Sequence, residues 1–203
     1  MRRVLAIGYL FLFSSLFFNL VFAAPVEWPL AEGGNGHYYE VVVTGAFDKW
    51  YGAYQNALTR SHAGLRGHLA TITSQAENDW LLAMMATEGI TQNHVFYLGA
   101  WNDGILDKNT ILGDWFWITG EPWDFTDWAP GEPTLSYPLE NCLSLLFGWQ
   151  NGALTGWNNL TFTYASNTGF IVEYDELSVS EPPPEHPVSA DGSSWDALKS
   201  LYR

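Results

Sequence analysis

Residues 115–134 read WFWITGEPWDFTDWAPGEPT and decide how the rest of the chain is interpreted. The segment joins a short aromatic run to turn residues and carboxylates, and prolines continue to Pro138 before the next β-like run begins at Cys142. A loop of this length inside a compact domain is usually functional. Because it carries side-chain oxygens, we expect it to hold a hard cation or a ligand rich in hydroxyl groups.

The start of the chain has the pattern of an export signal. Met1-Arg2-Arg3 is followed by an apolar stretch from Val4 to Phe22 and by two small residues, Ala23 and Ala24. This pattern predicts a secretory signal peptide over residues 1–24 and a secreted, periplasmic or extracellular protein. The apolar stretch approaches the length of a membrane span, so an uncleaved membrane anchor is the alternative.

The charge of the chain excludes one class of partner. The 203 residues include 22 acidic and 8 basic residues, for a formal net charge of -14, and only 6 basic residues lie beyond residue 24. Nucleic acid is therefore not an expected partner, since phosphate binding requires clustered Lys and Arg. The acidity suits either solubility outside the cytoplasm or affinity for a divalent cation, and charge alone does not choose between them.

Periodicity predicts two helices and a set of brief strands within one domain. Apolar residues at three-and-four spacing predict a helix over Trp50–Ser61, and a capping box of Ser74 and Glu77 predicts the start of a second helix. Residues 25–36 are polar and Gly-rich and predict a mobile lead-in, the domain covers residues 37–176, and residues 177–203 form a Pro-rich linker and a disordered tail. The predicted strands are Tyr38–Thr44, Phe96–Leu98, Trp115–Ile118, Cys142–Phe147 and Gly169–Tyr174.

Motifs of these segments and the loop lie at residues 36–39, 50–53, 67–78, 97–99, 113–117, 128–133, 140–142, 157–159 and 169–174. In this order, they resemble the C-type lectin-like domain. The resemblance implies an α+β fold in which two helices flank small antiparallel sheets and a long loop binds the ligand. The sequence is most similar to disulfide-poor bacterial members of the family. Cys142 is the only cysteine, so no intramolecular disulfide can form. Ala57 and Val172 stand where the family has a disulfide, and Phe162 stands where Cys142 would find its partner.

The resemblance also implies a function, calcium-assisted carbohydrate binding. Sugar-binding members hold a calcium ion with a Glu-Pro-Asn loop, a Glu just before a cysteine, and an Asn-Asp pair after a Trp. Carried over, the metal ligands are Glu132, Thr134, Glu140, Asn158 and Asn159, and Glu132, Glu140 and Asn158 also bond the sugar.

Two of these positions depart from the family pattern. Thr134 replaces an amide and Asn159 replaces a carboxylate, so we expect a weak site, toward ~10⁻⁴ to 10⁻³ M. Pro133 resembles the family's cis proline. Trp123 and Tyr137 are the rings expected to stack on a sugar, whereas Trp157 is expected in the core.

Two other classes of function are weighed against this one. A protein-binding module that keeps the fold but has a degenerate, metal-free site is favoured by Thr134 and Asn159, and fold alone does not decide between these functions. An enzyme is not expected, because no nucleophile stands beside a base. His37, His62 and His94 show no paired spacing that predicts zinc, and His68 is expected to be structural.

Overall fold

The computed structural model describes residues 24–44, 49–91, 93–102, 106–107, 110–111, 114–134, 140–152, 154–161 and 168–176. Apart from Ala24, the proposed signal peptide lies outside the described residues, as do the proposed tail, Tyr137 and Phe162. Within the described ranges, no helix combines the length and the apolar character that a membrane crossing requires.

The described elements alternate short helices with strands. The strands are β1 Val26–Glu27, β2 Tyr38–Val43, β3 Ser61–His62, β4 Leu65–Leu69, β5 His94–Asn102, β6 Leu106–Asp107, β7 Thr110–Ile111, β8 Trp115–Trp117, β9 Cys142–Gly148, β10 Leu154–Leu160 and β11 Gly169–Asp175. The helices are α1 Trp50–Leu58, α2 Gln75–Thr87 and the single turn α3 Trp149–Gly152, with a 3-10 turn at Leu30–Glu32.

The strands join into one large sheet plus a separate β6–β7 pair. The central order is β1-β2-β11-β5-β9-β10, with β4 attached to β11 and β3, and β8 attached to β5. Every pair is antiparallel except β11 with β5. The predicted α+β class is confirmed, but the strands are not split into several small sheets. The reason is β11, whose one edge pairs with β2 while its other edge pairs first with β5 and then with β4.

Both predicted helices form, and each buries one face. Helix α1 buries Trp50, Ala53, Tyr54 and Ala57. It ends at Leu58 instead of Ser61, because Ser61 already pairs with Arg66 in the β3–β4 hairpin. At the start of α2 the Ser74 Oγ accepts a hydrogen bond from the Glu77 backbone N–H at 3.2 Å, as the capping box predicts.

The lead-in over residues 25–36 is ordered, contrary to the sequence prediction. Val26 pairs with Tyr39 of β2, and the Trp28 ring is buried against Trp80 of α2 with 5.8 Å between ring centroids. Gly34 lies so close to Trp28 that an added Cβ would meet its carbonyl oxygen at 2.4 Å. The burial of one large ring offsets the entropy cost of ordering this short segment. The ordered domain therefore begins at β1.

Packing takes the place of cross-links in the core. Ala57 and Val172 are both fully buried in one apolar cluster, and Gly67 lies between them, where an added Cβ would meet Val172 Cγ1 at 2.9 Å. Cys142 is a buried free thiol in the same cluster. On the other face of the sheet Trp157 is fully buried among aromatic rings, as expected from the sequence. These buried rings supply apolar area that a disulfide-free fold needs.

Candidate functional site

The first half of the long loop is fixed against β10 and α2. The Ala129 N–H donates to Trp157 O at 2.9 Å, and the Trp157 N–H donates to Asp127 O at 2.7 Å. This close approach requires a glycine at position 156, where an added Cβ would meet Ala129 Cα at 2.9 Å. The Asn78 side chain of α2 donates to Asp127 Oδ2 at 2.8 Å. The loop is thus held from two sides before it reaches Glu132.

Three of the predicted ligands meet at the backbone of Thr134. The Thr134 N–H donates to Glu132 Oε2 at 2.8 Å and to Asn159 Oδ1 at 2.9 Å. In return, Asn159 Nδ2 donates to Thr134 O at 2.7 Å and to Glu140 O at 3.3 Å. The Glu132–Pro133 peptide bond is cis, as the resemblance implies. We name Glu132, Thr134, Glu140 and Asn159 the loop site.

The other two predicted ligands, Glu140 and Asn158, differ in how they contact the loop site. Glu140 is buried, and its contact with Asn159 is made by its backbone oxygen. Asn158 and Asn159 are neighbours on β10, and side chains of successive strand residues point to opposite faces. Asn159 faces Thr134, whereas the half-buried Asn158 side chain makes no described hydrogen bond to the loop site. The Asn158 backbone oxygen accepts a hydrogen bond from the Ser144 hydroxyl at 3.0 Å.

The aromatic candidates also differ from each other. Trp123 is half-buried, with its ring 5.7 Å from that of Trp115, 4.7 Å from that of Trp117 and 5.6 Å from that of Trp157. Packing on these rings accounts for its position, and its role in stacking on a ligand stays a prediction. Tyr137 lies outside the described residues.

The donor types of the loop site fit a hard cation. Carboxylate and amide oxygens are the ligands that calcium takes, and Glu132 Oε2 and Asn159 Oδ1 already lie within 2.9 Å of one common nitrogen. That nitrogen carries the positive end of a peptide dipole, so a cation has to share these oxygens with the Thr134 N–H. Sequence reasoning did not foresee this competition, because it depends on a backbone donor and not on the side chain of residue 134.

Structural comparison identifies the fold. C-type lectin CEL-I from Cucumaria echinata superposes with a TM-score of 0.53, at 21% sequence identity, covering 77% of this chain and 99% of that one. Human lithostathine superposes with a TM-score of 0.52, at 18% identity, covering 70% of this chain and 95% of that one.

The chain contains a C-type lectin-like domain. No protein-family model matches the chain.

Sequence comparison finds relatives that share part of their length with this C-type lectin-like domain. Halomucin of Haloquadratum walsbyi is 34% identical over 158 residues, which are 71% of this chain but 2% of halomucin. The alpha-N-acetylgalactosamine-specific lectin of Patiria pectinifera is 32% identical over 119 residues, which are 58% of this chain and 64% of that lectin. The chain thus spans less than two thirds of the length of each of these relatives.

The C-type lectin-like domain has a second polar cluster that the sequence analysis missed. In the β2–β11 pairing Tyr39 lies opposite Glu173, and this register brings the His37 ring to Glu173 and Asp175 at one end of the sheet. His37 Nδ1 lies 2.6 Å from Glu173 Oε1 and 3.9 Å from Asp175 Oδ2. His37 and Glu173 are 136 residues apart, so no local spacing could reveal the contact. We name His37, Glu173 and Asp175 the sheet-end site.

Proposed function

We propose that this domain binds carbohydrate with the assistance of calcium at the loop site, and that the protein is exported by its N-terminal segment. The proposal rests on one observation: the side-chain oxygens of Glu132 and Asn159 converge on a single point at the Thr134 backbone. Oxygens gathered in this way are what a cation-assisted sugar site requires. The lectin relative from Patiria pectinifera, whose name records a sugar specificity, supports the same class of ligand.

The proposed roles are those that the family resemblance implies. Glu132, Thr134, Glu140, Asn158 and Asn159 hold the ion, which when bound supplies the positive charge that draws two neighbouring sugar hydroxyls to the loop. Glu132 and Glu140 accept hydrogen bonds from those hydroxyls. Trp123 and Tyr137 are proposed as the rings that pack on the sugar face, since an aromatic ring offers a large apolar surface to the C–H groups of a sugar. The proposal is binding without catalysis.

One observation favours a second function, a protein-binding module without metal. The Thr134 N–H already satisfies Glu132 Oε2 and Asn159 Oδ1, and the Asn159 amide is fully engaged with Thr134 O and Glu140 O. A loop that satisfies its own polar groups keeps its shape with no ion present. Such a loop then presents a fixed surface to a protein partner.

A glycan array run with calcium and with a chelator tests the proposal. The wild-type chain is expected to retain glycans only in calcium, and a Glu132→Gln, Glu140→Gln double variant is expected to lose that retention. Asp124→Asn is the matched control, because Asp124 is an exposed carboxylate of the same loop. It should bind like the wild type.

Thermal melting separates the two functions. A ligand that binds only the folded state raises the melting temperature, so the wild type should melt higher in millimolar calcium than in chelator, and the double variant should not. An unchanged melting temperature together with an empty array would support the metal-free module instead. Glycan retention that survives in the double variant would remove the loop site from the assignment.

A further inference from the structure

The sheet-end site gathers a nitrogen and two carboxylate oxygens in a space that one ion can fill. One ligand atom from each of His37, Glu173 and Asp175 lies within 4.8 Å of the other two. Glu173 and Asp175 are two apart on β11, so they share a face of the sheet. His37 reaches them from the residue just before β2. The set is therefore built by two paired strands, and rigid elements hold ligands more accurately than loops do.

The surroundings of the sheet-end site are rich in buried negative charge. The side chains of Glu173 and Asp175 are 2% and 1% exposed, and Glu77 of α2 is buried beside them. Tyr39 has one hydroxyl proton, yet its oxygen lies 2.6 Å from Glu77 Oε1 and 3.1 Å from Glu173 Oε1. Burial and the charge of Glu173 raise the pKa of Glu77 to about 7. Buried carboxylates that lie this close together are stabilised by a nearby cation.

His68 orients one of the ligands from the other side. Its Nδ1 lies 2.8 Å from Leu69 O, which fixes the imidazole so that Nε2 points at Asp175 Oδ1, 3.3 Å away. The His68 side chain is 1% exposed, and this contact does not reach the geometry of a hydrogen bond. Groups behind the ligands help to orient them in protein metal sites, and the buried His68 ring lies next to Asp175 in such a position. It leaves Asp175 Oδ2 directed at His37.

From this geometry we propose that the sheet-end site binds a zinc-like divalent cation through His37 Nδ1, Glu173 Oε1 and Asp175 Oδ2. One imidazole and two carboxylates suit zinc, which accepts nitrogen and oxygen ligands and is often held by three protein groups with an open fourth position. Calcium is disfavoured here, because it takes six to eight oxygens. The two carboxylate charges balance those of the ion.

The existing contacts show how the ion enters. His37 is 28% exposed, so the site opens to solvent on its side. His37 Nδ1 and Glu173 Oε1 are in hydrogen-bond contact at 2.6 Å, and the ion takes the place of this contact when it binds between them. The bound ion ties β2 near the start of the domain to β11 at its end.

Zinc titration of the full chain, purified without a histidine tag and stripped with a chelator, tests the proposal. We expect one zinc ion per chain by calorimetry, a rise in melting temperature with zinc, and a visible absorption band when cobalt(II) is used as the probe. His37→Gln removes a ligand from a partly exposed position, so the variant should fold and should bind zinc at least ~10-fold more weakly.

Two matched controls identify the site. His94→Gln changes a half-buried histidine outside the cluster, and Glu132→Gln changes the loop site; both variants should bind zinc like the wild type. The proposal is overturned if the wild type takes up no zinc, or if His37→Gln binds it as tightly as the wild type does. It is overturned equally if Glu132→Gln abolishes the binding, since the ion would then lie in the loop. Glycan retention is not a readout of this experiment, so failure of either proposal leaves the other standing.

Discussion

The loop site and the sheet-end site are both built on a glutamate, but the two glutamates are bound very differently. Glu132 is half-buried and accepts the Thr134 N–H. Glu173 is buried and contacts the Thr71 backbone N–H at 2.9 Å, the Thr71 and Tyr39 hydroxyls at 3.1 Å, and His37 at 2.6 Å. A glutamate can therefore be held by a single backbone donor of its own loop or by groups from several elements of the fold, and the second kind contributes more to stability.

The largest expected effect on the unfolding free energy is that of removing the Glu173 carboxylate. Glu173→Ala leaves the Thr71 N–H without its buried acceptor and His37 without its hydrogen-bond partner. Breaking a buried charged contact of this kind costs about 3–5 kcal/mol of unfolding free energy. Urea denaturation measures the loss. A change below about 1 kcal/mol would show that Glu173 is no more important to the fold than Glu132, and the contrast between the two sites would disappear.

A smaller effect is expected from Asn159→Asp, which restores the carboxylate that the family pattern has at this position. The change removes two amide donors and turns an oxygen toward Thr134 O and Glu140 O. In chelator we expect a loss of about 1–3 kcal/mol, the cost of leaving buried groups unsatisfied. In calcium the loss should shrink, because the added charge strengthens the proposed ion site.

Asn158→Asp is the matched control for that variant. Asn158 is the half-buried neighbour on the opposite face of β10, so its change should cost less in chelator. Equal losses for the two variants would contradict the special position of Asn159.

His37→Gln should cost less again. The side chain is partly exposed, so solvent screens its attraction to Glu173 and Asp175. Glu173 increases the pKa of His37 mainly through their hydrogen bond, and Gln keeps a donor but no charge. We expect a loss of about 1 kcal/mol in denaturation without metal. A loss as large as that of Glu173→Ala would mean that the contact with His37 accounts for most of the stability that Glu173 provides.

The smallest effect on stability is expected from Glu132→Gln. Gln keeps one oxygen that can accept the Thr134 N–H, so the unfolding free energy in chelator should change by no more than about 0.5 kcal/mol. The same variant should lose the rise in melting temperature that calcium gives. A strong destabilisation without calcium would place Glu132 in the same class as Glu173.

The sequence predicted the elements that depend on local pattern. The face of α1 at Trp50, Ala53 and Ala57 and the Ser74 cap of α2 are set by spacing alone, and both were correctly placed. Strand β10 was not predicted, because Gly156 and the two asparagines disfavour a strand, and its pairing with β9 makes this segment one. The prediction of a mobile lead-in was wrong for a similar reason, since the position of Trp28 depends on its contact with Trp80 of α2.

In the candidate sites too, residues in local motifs could be predicted, whereas contacts between distant segments could not. Glu132, Glu140 and Asn159 stand in recognisable motifs, so their nearness followed from the resemblance. The Thr134 N–H has no side-chain signature and could not be anticipated. The contact of His37 with Glu173 depends on the register of β2 against β11, two strands that are far apart in the sequence. The local signal in the sequence was limited to the two acidic residues, Glu173 and Asp175, at alternate positions of one strand.

The pairing of β1, β2 and β11 has a consequence for how the domain joins other polypeptide segments. Val26 lies opposite Tyr39, and Tyr39 lies opposite Glu173, so the chain enters and leaves the fold two strands apart, or roughly 10 Å. Neighbouring entry and exit points let a unit be inserted into a surface loop of another protein with little distortion of either. This geometry suits a domain that is inserted as a unit into larger proteins.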